Sequence, residues 1–218
     1  MKRFALSGFL AAMCTVMAVS AAHAEGNRYG FPRAYKADIS PAATYTALQR
    51  EDGTVLVDVR SVEEYAGGHP EQSFNIPFPR IAGKDKDDAA YREMSESDFL
   101  AEISARFPDR STPIVTMCQS GGRSVMAANV LAKAGYTNVQ SMWTGYLGRT
   151  LTDVKGAPVD LNGNGIIDGV TLDDNGKPMS DPGDLDGWAG FNQLPTTTAI
   201  DAAHVVERLR ALYPKLAP

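Results

Sequence analysis

The sequence predicts an α/β fold: a parallel sheet flanked by helices, with a Gly/Asp/Asn-rich insertion ahead of C-terminal helices. Strand-length apolar runs alternate with helix-length segments, the order that builds parallel sheets. The run Thr54-Val-Leu-Val-Asp58-Val59 is apolar at consecutive positions, the pattern of a strand buried on both faces. In Pro113-Ile-Val-Thr-Met-Cys118-Gln-Ser-Gly-Gly-Arg123-Ser124 a strand stops at a cysteine, and a Gly-containing loop opens into a helix.

Met1-Lys2-Arg3, an apolar run to about Ser20 and Ala22-His23-Ala24 read as a secretory signal peptide over residues 1–24, cleaved after Ala24. A membrane anchor is the competing reading, but the apolar run is short for a span and leads straight into a small-residue cleavage site. The chain is therefore expected to be periplasmic or secreted, with no stable membrane anchor. Cleavage removes Cys14, so Cys118 is left unable to form an internal disulfide in an oxidising compartment. The formal charge of −5 becomes more negative when Lys2 and Arg3 leave with the leader, which argues against nucleic acid as a partner.

Residues 25–39 read as an N-terminal extension and 40–150 as the core. Ser40-Pro41 has the form of an N-cap with proline at the first helical position, and a helix follows over 42–49. After the strand at 54–59, Ser61-Val-Glu-Glu-Tyr65 reads as a capped short helix ended by Gly67-Gly68. Residues 80–95 are polar and read as a surface loop. Ser95 starts a helix with Phe99, Ile103 and Phe107 on one face, stopped by Pro108. A strand at 113–117, a helix to about Ala134 capped by Gly135, and a strand at 138–142 complete the alternation.

Ligands of such sheets bind at the carboxyl ends of the strands, where Cys118 falls. Backbone N–H groups of a tight loop and the positive end of the following helix favour a thiolate over a thiol. Cys118 is thus the candidate nucleophile, with Gln119, Ser120, Gly121, Gly122, Arg123 and Ser124 as its anion-binding loop.

The motifs Val55-Leu-Val-Asp58-Val-Arg60, Glu64-Tyr65 with Gly68-His69, Asn75-Ile-Pro77, Cys118-Gln-Ser-Gly-Gly-Arg-Ser124 and Gly135-Tyr-Thr-Asn138-Val139 follow one another as in the rhodanese family of sulfurtransferases, which the chain resembles over about residues 40–150. The resemblance implies a single-domain rhodanese-like fold in which Cys118 takes a sulfane sulfur as a persulfide and passes it to a thiol or cyanide acceptor. The donor would be a small molecule such as thiosulfate or a persulfide, and no cofactor would be required for catalysis. A persulfide carrier or partner-binding module with little turnover is the alternative. Related phosphatases place five residues between cysteine and arginine, whereas Gln119 to Gly122 make a tighter ring that suits one sulfur atom. Asp58 and Arg60 match a structural Asp-x-Arg turn and are expected to pair beneath the site; His69 matches a structural position, with a catalytic role as the lesser reading. Arg123 is compatible with two roles, steering an anionic donor or tying the loop to a carboxylate. Ser120 and Ser124 are placed to bond the sulfur or to cap the helix. Gln119 departs from the basic residue that many thiosulfate-active members carry there.

The family's closing turn resembles Thr144-Gly145-Tyr-Leu-Gly148, and its Trp-containing helix resembles Gly187-Trp188-Ala-Gly-Phe191-Asn-Gln-Leu194-Pro195. Residues 151–186 are inserted between them. Asp160, Asn162, Asn164, Ile166 and Asp168 match the first nine positions of a calcium loop, Ile166 through its carbonyl, although Thr171 stands where a bidentate carboxylate is expected. A structural calcium is one reading. A Gly/Asn-rich turn followed by a hairpin at Asp174-Asn175-Gly176 is the other. Residues 187–218 read as a C-terminal helical segment, with Ile200, Val205, Leu209 and Leu212 as the stripe of a terminal helix.

Overall fold

A computed structural model of the protein describes residues 30–50, 52–165, 170–172, 178–180 and 182–214. The expected leader therefore lies outside the described residues. Five strands form one sheet in the order β1-β7-β6-β2-β3, every neighbour parallel: β1 (Ala37–Ile39), β2 (Val55–Asp58), β3 (Ser73–Asn75), β6 (Ile114–Met117) and β7 (Val139–Met142). Helix α1 (Pro41–Leu48) starts at Ser40, whose side chain accepts from Ala43 N–H. Helix α2 (Val62–Ala66) carries a reciprocal capping box between Ser61 and Glu64. Helix α3 (Glu96–Arg106) is capped by Ser95, and α4 (Gly122–Lys133) leaves the carboxyl end of β6 through Gly121.

Consecutive side chains of a strand face opposite ways, so each central strand feeds two cores. Leu56, Val115, Met117 and Met142 pack with Trp188 on the α1 side. Val57, Val59, Ile114 and Cys118 face the larger cluster with Phe99 and Ile103 of α3 and Val125, Ala128 and Leu131 of α4. The sheet is thus covered on both faces, as an all-parallel sheet requires.

Several elements differ from the sequence reading. The expected extension contains β1, which lengthens the sheet beside β7, and β3 is a strand too short and polar for periodicity to show. The stretch expected as loop at 80–95 holds a two-stranded antiparallel ribbon, β4 (Arg80–Ala82) with β5 (Arg92–Glu93). Residues 187–195 form turns in place of the expected helix, yet Trp188 is buried where the core needs it. Beyond them the chain makes two 3-10 turns, Ala202–His204 and Glu207–Leu212, in place of one terminal α-helix. Thr196-Thr-Thr198 is a poor helix former, and here the backbone pairs instead: Thr197 with His69 and Val205 with Asn75 at the β3 edge. Ile200, Val205 and Leu209 are buried as the stripe predicted, while Leu212 is 44% exposed. In the insertion β8 (Val170–Leu172) pairs antiparallel with β9 (Pro178–Ser180), in keeping with the hairpin reading; its turn lies outside the described residues. Among the described residues no helix is long and apolar enough to cross a membrane.

After the insertion the chain first rejoins the core through a large side chain, Trp188. Trp188→Ala is expected to cost about 3–5 kcal/mol in urea denaturation; a loss under about 1 kcal/mol would show that residues beyond the insertion do not complete the core.

Candidate active site

Cys118 follows β6 directly, and its side chain is 1% exposed. The glycine at 121 is required by conformation: it caps α4 at φ +103, a region that side-chain-bearing residues avoid. From there Gly121 N–H donates to Cys118 Sγ at 3.2 Å. Of the loop amides expected on the sulfur, this one reaches it in the resting geometry. Ser124 Oγ lies 3.8 Å from Sγ and donates to Gly121 O at 2.8 Å, while accepting from Ser141 Oγ at 3.1 Å. Ser124 therefore braces the loop from the first turn of α4 instead of capping the helix. Gln119 and Ser120 are half-buried on the rim, and Gly122 opens α4.

The two roles open to Arg123 are resolved by geometry. Its fork meets Glu64 squarely, Nη1 on Oε2 and Nη2 on Oε1, both at 2.7 Å, so it ties the loop to α2. Glu64 also accepts from Arg80 Nη2 at 2.9 Å and from Ser61 N–H at 2.9 Å. Burial alone would raise the Glu64 pKa, but Arg123, the Ser61 amide and Arg80 outweigh it and hold the carboxyl at about 2, against 4.5 when free. Burial also works against the Arg123 cation, and Glu64 more than restores it, leaving the guanidinium above its ordinary value.

Asp58 and Arg60 pair beneath the loop as expected. Arg60 Nη2 lies 2.6 Å from Asp58 Oδ2 with both side chains fully buried, and Nη1 reaches Gln119 Oε1 at 3.3 Å. The guanidinium is stacked 3.9 Å from the centre of the Tyr146 ring. His69 is structural: its ring stacks on Tyr65 at 3.6 Å and its Nδ1 lies 2.9 Å from Tyr65 O, while burial pushes its pKa down.

Sequence reasoning did not anticipate two parts of this site. The Ser61-x-x-Glu64 pattern marked a helix start, but nothing local shows that Glu64 meets an arginine 59 positions away. The second part is the turn at 145–148. Tyr146 N–H donates to Cys118 O at 2.7 Å, and Leu147 and Gly148 N–H both donate to Gln119 O at 3.0 Å. This approach depends on Gly145, at φ +81, where a Cβ would come within 2.4 Å of Cys118 O.

The expected calcium residues stand apart from this centre. Asp160 accepts Gly163 N–H on Oδ1 at 2.6 Å and Gly165 N–H on Oδ2 at 2.8 Å, and Asn162 Oδ1 accepts Asn164 N–H at 3.0 Å. Ile166 and Asp168 lie outside the described residues. Among the described residues no three His, Cys, Asp or Glu side chains gather as a metal-holding group.

Glu64 also sets an acid limit. A carboxyl whose folded pKa lies below its unfolded value adds stability that is complete above the unfolded value and is lost as pH falls through the folded one. The wild type should therefore lose stability more steeply than Glu64→Gln between about pH 4.5 and pH 2 in acid titrations followed by circular dichroism. Parallel curves for the two proteins would show that the Glu64–Arg123 pair does not form.

A rhodanese-like domain matches residues 41–148, the span that holds β2, α2 and the Cys118 loop. Thiosulfate sulfurtransferase 16, chloroplastic, of Arabidopsis thaliana is 36% identical over 95 residues, covering 43% of this chain and 72% of its own length. Thiosulfate sulfurtransferase 18 of the same plant is 30% identical over 112 residues, covering 50% of this chain and 74% of its own. A senescence-associated protein of Raphanus sativus is 32% identical, and the match spans 45% of its length. A crystal structure of an M. tuberculosis protein aligns with a TM-score of 0.48 at 24% identity, covering 76% of this chain and 99% of its own. The rhodanese-like match at 41–148 leaves out the insertion and the segment after Trp188. With the sheet order and the cysteine loop already described, the domain match and the two thiosulfate sulfurtransferases place the chain in the rhodanese-like family.

Proposed function

We propose that the chain is an exported sulfurtransferase that carries sulfane sulfur on Cys118. The observation that supports the reading most directly is the Gly121 N–H directed at Cys118 Sγ, at the head of α4 and the carboxyl end of the central strand. The chemistry is a double displacement. The Cys118 thiolate attacks the outer sulfur of a donor such as thiosulfate. A new S–S bond forms, the donor's S–S bond breaks, and sulfite leaves with that bond's electron pair. An acceptor thiolate or cyanide then attacks the outer sulfur of the persulfide and displaces the Cys118 thiolate.

The flanking charges bear on the donor. Arg123 is held by Glu64 and Arg60 by Asp58, so both guanidiniums beside the loop are already paired with carboxylates. Gln119 adds a neutral amide at the rim. A donor of lower charge than dianionic thiosulfate, such as a small persulfide, suits this setting better.

Intact-mass measurement after exposure to thiosulfate or a glutathione persulfide is expected to show one added sulfur on the wild type and none on Cys118→Ala. Cyanide should discharge it as thiocyanate. A wild type that stays unmodified with both donors would overturn the sulfurtransferase reading, and a persulfide that resists every acceptor would favour the carrier.

The leader and the calcium loop belong to the same proposal. N-terminal sequencing of exported material is expected to begin at Glu25. The carboxylate and amide oxygens of Asp160, Asn162 and Asn164 support a weak structural calcium site of the extracellular kind. Millimolar calcium should then raise the melting temperature or the protease resistance of the 151–186 stretch; no change in either would remove the calcium reading.

A further inference from the structure

The insertion does not hang from the fold as an independent loop, because its two ends close on the turn that clamps the catalytic loop. Four backbone bonds join them: Asp186 N–H to Arg149 O at 3.1 Å, Gly187 N–H to Leu147 O at 3.0 Å, Trp188 N–H to Gly145 O at 3.0 Å and Ala189 N–H to Tyr146 O at 2.8 Å. The strands of chain run so close that a Cβ on Gly148 would come within 2.2 Å of Gly187 N. Asp186 fixes this junction from the insertion side. It is 8% exposed, and its Oδ1 accepts the Arg149 amide at 2.8 Å. Asn192 Nδ2 donates to the Asp186 and Gly187 carbonyls at 3.1 and 2.9 Å, holding the far strand of the junction in place.

A trans peptide is planar, with its C=O and N–H pointing opposite ways. Pinning Cys118 O and Gln119 O to the amides of Tyr146, Leu147 and Gly148 therefore turns the N–H groups of Gln119 and Ser120 away from the clamp. These are the two loop amides that follow the sulfur in sequence and precede Gly121, whose N–H already reaches Sγ. We propose that Asp186 is a positioning residue: by holding the 145–149 turn it keeps the Gln119 and Ser120 amides facing the outer sulfur of the Cys118 persulfide. The insertion is in this way coupled to the loop that does the chemistry. The inference rests on the sulfur-transfer reading for its kinetic consequence and on backbone geometry alone for its structural one.

The test pairs Asp186→Ala, which removes the acceptor, with Asp186→Asn, which keeps an oxygen at Oδ1. Hydrogen exchange of peptides covering 118–122 and 145–149 is followed by mass spectrometry, with the β2 peptide as control. Persulfide formation on Cys118 is timed alongside with thiosulfate and with glutathione persulfide. Asp186→Ala is expected to quicken exchange in both loop peptides and to slow persulfide formation about tenfold, while β2 is unchanged and Asp186→Asn behaves as wild type. Unaltered exchange at 118–122 in Asp186→Ala would overturn the proposal, as would a uniform rise that includes β2, which marks a global structural role. Local exchange changes in a protein whose wild type forms no persulfide would support the positioning role and overturn the function reading alone.

Discussion

The buried pair of Asp58 and Arg60 is the constraint on which the rest of the site depends. Removing two charges from water is costly, and such pairs contribute little net stability, so what they supply is geometry. Arg60 uses its whole fork here: Nε and Nη2 on Asp58, Nη2 also on Gly68 O at 2.8 Å, and Nη1 on Gln119. Asn75 Nδ2 bonds the Asp58 and Arg60 carbonyls from β3, and Tyr213 of the C-terminal strap bonds Asn75 in turn. One ion pair thereby links the end of β2, the turn after α2, the edge strand, the C-terminal segment and the cysteine loop.

Around this centre the cysteine loop is held from three directions. Glu64 grips it through Arg123, Ser141 and Met142 meet Ser124 at its far end, and the 145–148 turn holds its two leading carbonyls. Each hold satisfies a polar group that would be costly to leave unpaired in a buried setting. The loop's orientation is then fixed by the protein's own groups, so that its amides need not reorganise around a charge.

The ionic arrangement separates support from recognition. Arginine is the residue suited to gripping an anionic substrate, yet both arginines beside this loop face protein carboxylates. The sulfur is left to the Gly121 N–H, with the Ser124 oxygen 3.8 Å away.

The alternation of apolar runs, the serine caps at residues 40, 61 and 95, and the strand-loop-helix passage through Cys118 were legible in the chain because each depends on neighbours in sequence. The Asp58–Arg60 pair was legible through the family resemblance, with one residue between the partners. What the sequence could not disclose were contacts made across the fold: Glu64 choosing Arg123, Gly145 lying against Cys118 O, and Asp186 accepting the Arg149 amide. The strap after Trp188 shows the same division. Its apolar spacing suits a helix on local grounds, yet the chain makes isolated bridges to His69 and to Asn75 of β3 and two short 3-10 turns. Sequence by itself determined the central strands, the helices α1 to α4 and the strand-loop-helix setting of Cys118, through periodicity and local capping. Only the tertiary structure decided which groups brace that nucleophile, because a partner tens of residues away is selected by packing and electrostatics that no local pattern encodes.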